Sequence, residues 1–136
     1  MRRQALIVGG GIAGLCAAIS LRLTGWDVQV FEQAPEITEI GAGLQISPNG
    51  VKILEHIGVM EGLKSVLFEP EAIEIRMGVS GRPILYLPMK GPAAERWGAR
   101  YIQVYRADLI TALSARLDAL QHGAVQTGCP VLSYAP

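Results

Sequence analysis

The chain is short of cysteine, of net charge and of unbroken apolar runs, and each shortage excludes something. Two cysteines in 136 residues, Cys16 and Cys129, cannot build a disulfide framework and lack the spacing of zinc ligands. They suit a reducing compartment, so a cytoplasmic location is expected. Lys plus Arg and Asp plus Glu number 12 each, for a formal net charge of +0. No basic excess invites nucleic acid, and no charge block reads as an interaction tail. The two histidines, His56 and His122, stand apart and read as surface residues, so no metal site is expected. The longest apolar stretch, residues 5–19, is broken by four glycines and is too short for a membrane span. It follows Met1-Arg2-Arg3 as a secretory signal would, yet no polar, small-residue cleavage region comes after it. Cutting there would also orphan the strand-like residues 28–31.

What remains is an ordinary globular composition of one-domain size, 50% hydrophobic and 18% charged. Residues 5–8 form a continuous apolar run, as in a strand buried in a parallel sheet. Glycines 9, 10, 11 and 14 make a turn, residues 13–24 read as a helix, and Gly25 ends it. Residues 28–32 then read as a second strand, and right-handed crossover makes the two parallel. A glycine-punctuated loop, residues 39–50, leads to Ser47 and Pro48 at the start of a short helix carrying Val51, Leu54 and Ile57. Residues 71–79 and 83–89 read as a hairpin turning at Ser80-Gly81. Residues 96–99 read as loop and 101–105 as a strand. A helix over residues 107–121 carries Leu109, Leu113, Leu117 and Leu120 on one face. Residues 124–126 add a strand to the first sheet. The expected class is α/β: a Rossmann-like fold with a parallel sheet and an added antiparallel hairpin.

The chemistry lies in the glycines. Gly9-x-Gly11-x-x-Gly14 falls between a strand and a helix, the context that the dinucleotide fingerprint requires. Gly9 permits the turn, Gly11 lets a pyrophosphate approach the backbone, and Gly14 lets helix and strand pack closely. The helix N-terminus offers free N–H groups and the positive end of its dipole. Glu32 ends the second strand, where an acid accepts hydrogen bonds from ribose hydroxyls and disfavours the extra phosphate of NADP. The fingerprint alone does not separate NAD from FAD. A dehydrogenase would pass quickly from Glu32 to a helix and a third parallel strand. Here a long loop with Gly41, Ala42 and Gly43 intervenes, followed by the hairpin.

The segments "GGGIAGLCAA", "VFEQA", "EIGAGLQISPNGVKILEHIGV" and "YRADLITAL", in that order, resemble the first third of a flavin-dependent aromatic hydroxylase. The family is that of the single-component FAD monooxygenases of the p-hydroxybenzoate hydroxylase class. The salicylate hydroxylase and 3-hydroxybenzoate 6-hydroxylase branch matches in pattern. The resemblance implies that Gly9, Gly11, Ala13 and Gly14 line the FAD pyrophosphate, with Glu32 and its neighbour Gln33 at the adenosine ribose. It places Ala42 and Gly43 near the flavin, Arg106 at the phosphate and ribityl side, and Val131 against adenine through its backbone. It implies NAD(P)H as co-substrate, a small aromatic substrate with O2, and a homo-oligomer as a further expectation. Asp108 reads equally as a helix-start acid. No catalytic residue is identified.

Two departures accompany the resemblance. Tyr105 stands where the family usually has histidine, and the family's later Gly-Asp and Asp-Gly segments are absent. Residues 1–136 are therefore expected to be the amino-terminal part of an FAD-binding domain, incomplete, with residues 71–90 on the substrate-domain side. The alternatives are a catalytically inactive nucleotide- or FAD-binding fragment, and a flavin epoxidase or ubiquinone-pathway hydroxylase of the same fold.

Overall fold

The computed structural model describes residues 3–37 and 42–135. Strand β1 (Gln4–Val8), helix α1 (Ile12–Leu23) and strand β2 (Asp27–Phe31) form the expected β–α–β unit. β1 and β2 pair in parallel from Gln4 opposite Asp27 to Val8 opposite Phe31. The last strand, β7 (Val125–Gln126), joins the other edge of β2, also in parallel, so the order is β1-β2-β7. β7 is only two residues long, and a side chain extends its ladder. Gln121 accepts from the Val28 N–H at 3.0 Å and donates to the Val28 carbonyl at 2.7 Å.

A second, antiparallel pair joins β3 (Gly43–Ile46) to β6 (Ile102–Tyr105), with Gly43 opposite Tyr105 and Ile46 opposite Ile102. β3 falls within the segment that the sequence suggested was loop. Its alternation is nonetheless regular: Leu44 and Ile46 pack toward the core beside Ile102 and Val104, while Gly43 and Gln45 are exposed. Helices α2 (Pro48–His56) and α5 (Arg106–Leu120) pack on that pair, and α3 (Met60–Leu63) packs against both helices. α1 packs against α5, and Leu15, Ile19, Leu113 and Leu117 are fully enclosed there. Each such side chain contributes roughly 1.5–3 kcal/mol of burial.

The hairpin forms as expected from β4 (Ala72–Arg76) and β5 (Pro83–Pro88), with an irregularity between Ile75 and Arg76. Two short helices were not anticipated: α3, and α4 (Pro92–Trp97). The loop expected over residues 96–99 is in part the end of α4. Six residues give too little periodicity to detect, although Pro92 at the first turn is a helix-start signal. Ser47 precedes α2 as expected, but its hydroxyl bonds Asn49 Oδ1 instead of capping a backbone N–H.

Candidate dinucleotide-binding site

The turn from β1 into α1 is built by glycines with different duties. Gly9 adopts φ +98°, in the left-handed region, and donates its N–H to the Phe31 carbonyl at 2.8 Å. Gly14 lies on the underside of the turn, where a Cβ would come within 1.9 Å of the Gly9 carbonyl oxygen. Gly11 is different: its backbone is extended (φ −75°, ψ −175°), and a Cβ there would meet nothing within 4 Å. The fold itself does not require glycine at 11. The open space over it is what a diphosphate would use at the start of α1, and exposed Ala13 keeps that approach low.

Glu32 follows directly on β2, half-buried, with its carboxylate folded back over the turn. Oε1 accepts from the Ala34 N–H at 2.9 Å and Oε2 from the Gly10 N–H at 2.6 Å. These backbone donors, Ala34 first and Gly10 second, hold its pKa below the ordinary 4.5. The carboxylate is therefore anionic at neutral pH and repels a second anion beside it. Glu32 also lines a cleft of about 310 Å³ together with Gly9, Gln33, Phe31, Cys129 and Val131. The far wall, residues 129–132, is held by the Cys129 N–H donating to the Glu32 carbonyl at 2.9 Å and the Gly128 N–H to that of Ala34 at 2.8 Å.

The structure thus brings Gly9, Glu32, Gln33 and Val131 into one cleft, with Gly11, Ala13 and Gly14 on the adjoining turn. Phe31, Cys129 and Pro130 belong to the same cleft and were not singled out from sequence. Their signal would have been adjacency to Glu32 and to the strand at 125–126. Ala42, Gly43 and Arg106 are assembled elsewhere, at one end of the β3–β6 pair. Gly43 lines a separate cavity of about 400 Å³ with Phe68, Gln103 and Tyr105. Arg106 opens α5 and is exposed. Gly41 lies outside the described residues. Cys16 is half-buried in α1, where burial raises its pKa. No cluster of potential metal ligands occurs among the described residues.

Comparison with known proteins identifies the family. The FAD binding domain family matches residues 2–132, and the chain belongs to that family. It is 42% identical over 113 residues to the 3-amino-4-hydroxybenzoate 2-monooxygenase of Streptomyces cremeus, covering 83% of this chain and 29% of that protein. It is 34% identical over 108 residues to the 3-hydroxybenzoate 6-hydroxylase of Polaromonas naphthalenivorans, covering 79% of this chain and 27% of that protein. The crystal structure of Klebsiella pneumoniae HpxO complexed with FAD and uric acid superposes with a TM-score of 0.75 at 32% identity, covering 93% of this chain and 31% of that one. The chain therefore spans less than a third of the length of these relatives. No described helix is long and apolar enough to cross a membrane.

Proposed function

We propose that this chain forms the adenosine and pyrophosphate half of the FAD site in a monooxygenase that hydroxylates a small aromatic compound. The observation that carries the reading is Gly11: an uncrowded glycine in an extended conformation at the N-terminus of α1, beside a carboxylate held anionic at the end of β2. The N–H groups opening α1 hold the diphosphate. Glu32 accepts from the ribose hydroxyls, with Gln33 at the rim, and the backbone of Val131 meets the adenine. Ala42, Gly43 and Arg106 meet the cofactor farther along, where a guanidinium can give two parallel hydrogen bonds to an anionic oxygen. Bound FAD would couple NAD(P)H and O2 to hydroxylation of the aromatic ring. The β4–β5 hairpin lies on the substrate side. A homo-oligomer in the cytoplasm completes the proposal.

The test is titration of the 136-residue chain and of the whole protein with FAD, followed by flavin emission. The whole protein is expected to hold flavin and be yellow, and the chain alone to bind weakly and release it on gel filtration. In both, Gly11→Val should abolish the response while leaving the far-UV dichroism unchanged, because a Cβ at position 11 meets no atom within 4 Å. A colourless whole protein that ignores added FAD would overturn the reading.

A further inference from the structure

The hairpin stands apart from the main core. Ile73 and Leu87 on its inner face close over a small cluster of their own, Met89, Ala93 and Tyr101. Its far half overhangs that cluster, with Ile75 48% and Leu85 46% exposed on the same face. Among the described strands β4 and β5 pair only with each other, and two strands alone are marginally stable in water. A further strand on one edge would complete the sheet.

The two edges are not alike. β5 begins and ends in proline, Pro83 and Pro88, and the register slip between Ile75 and Arg76 leaves Ile84 as an extra residue on it. Prolines and a bulge close an edge to added strands. β4, Ala-Ile-Glu-Ile-Arg, has no proline and no extra residue. The Met89 N–H donates to the Glu71 carbonyl at 2.9 Å, and the Met77 N–H to the Arg82 carbonyl at 2.8 Å. The odd-numbered residues of this strand therefore bond toward β5, and Ala72, Glu74 and Arg76 turn their N–H and C=O groups to the free edge. Glu74 and Arg76 already form an ion pair at 2.7 Å on the outer face.

Those two charges select a partner and a register. If a second β4 lies antiparallel on that edge with Ile75 opposite Ile75 of the second copy, each Glu74 faces an Arg76. Sliding by two residues either way sets Glu74 against Glu74 or Arg76 against Arg76, which is destabilising. A formal net charge of +0 sets up no long-range repulsion between the copies. We propose that β4 docks on β4 of a second copy of this chain in the Ile75-centred register, so that two hairpins make one four-stranded sheet. The proposal rests on the homo-oligomer proposed above, to which it gives a surface, and not on the flavin reading.

Sedimentation equilibrium of the 136-residue chain tests it. Leu6→Lys and Leu132→Lys are kept in place throughout, to remove association through the open face of the parallel sheet, where these residues are 65% and 92% exposed. This parent should pass from monomer to dimer as concentration rises, and no further. Glu74→Arg and Arg76→Glu each set like charges opposite one another twice, and each should weaken the dimer at least about tenfold. An equimolar mixture of the two should recover the dimer, because every facing pair is then opposite in sign. Both variants should keep the parent's far-UV dichroism. A monomeric parent, an undiminished dimer in either variant, or a mixture that fails to recover it would overturn the proposal. The same swaps in the whole protein separate the two readings. A monomeric whole protein overturns the homo-oligomer and this surface together. An oligomer unmoved by the swaps overturns the surface alone, the edge then being covered by the protein's own chain or the contact lying elsewhere.

Discussion

At the scale of single residues, the glycines of the first turn divide between those the fold needs and those it does not. Gly14→Ala gains up to about 1 kcal/mol of helix propensity. It also drives a methyl group to within 1.9 Å of the Gly9 carbonyl oxygen, a backbone atom that cannot swing aside. Overpacking wins, and a net loss of about 1–3 kcal/mol is expected in urea unfolding. Glu32 makes a pH-dependent contribution whose sign follows from its lowered pKa. The native state binds its proton less readily than the unfolded chain does. The stabilisation is therefore present above the ordinary 4.5 and disappears as pH falls through the lower native value. Glu32→Gln should lower the urea midpoint at about pH 7 and shrink the difference between wild type and variant near pH 3. An unchanged gap across that range would show that the Gly10 and Ala34 N–H groups do not favour the ionised form.

At the scale of elements, legibility followed local repetition. α1 and α5 were readable because their apolar spacing runs for three turns or more, and β1 and β2 because they are continuous apolar runs flanking the glycine turn. β3 was hidden by its setting among glycines, and its partner β6 lies far along the chain, so nothing nearby announced a strand. α4 was too short to show a period. The far wall of the cleft, residues 129–132, has no regular structure at all, and only family resemblance placed Val131 there. Gln121 was equally invisible, since its role depends on β7 stopping short. It supplies from a side chain the donor and acceptor that another strand residue would have given to Val28. Gln121→Leu leaves the buried Val28 N–H and carbonyl without those partners, a loss of about 1–3 kcal/mol expected in the equilibrium stability. Amide exchange at Val28 should accelerate more than at Val30, which keeps its bond to the Ala124 carbonyl.

At the scale of the whole molecule, the parallel sheet is covered by helices on one face and left open on the other. Leu6 is 65% exposed and Val8 69%, and with Leu132 and Tyr134 they surround a groove of about 940 Å³. The hairpin adds Ile84 at 60% and Tyr86 at 63%. Apolar surface of this kind in a folded chain binds hydrophobic dyes and promotes association. The 136-residue chain should enhance the fluorescence of anilinonaphthalene sulfonate while native, and its mass by light scattering should rise with concentration. The double variant Leu6→Lys, Leu132→Lys should reduce both effects with the far-UV dichroism intact. The bonds across the cleft have a consequence of their own for cooperativity. Glu32 and Ala34 near the beginning of the chain are tied to Cys129 and Gly128 near its end. Contacts that span so much of the chain are rewarded only once a long loop has closed, so these ties are expected to form after the local β1–α1–β2 unit, an order that φ-values at Glu32 and Gly128 would check. A nucleotide bridging Glu32 and Val131 would staple the first β–α–β unit to the segment after β7, and its binding energy would raise the melting temperature of the whole molecule, not of one strand pair.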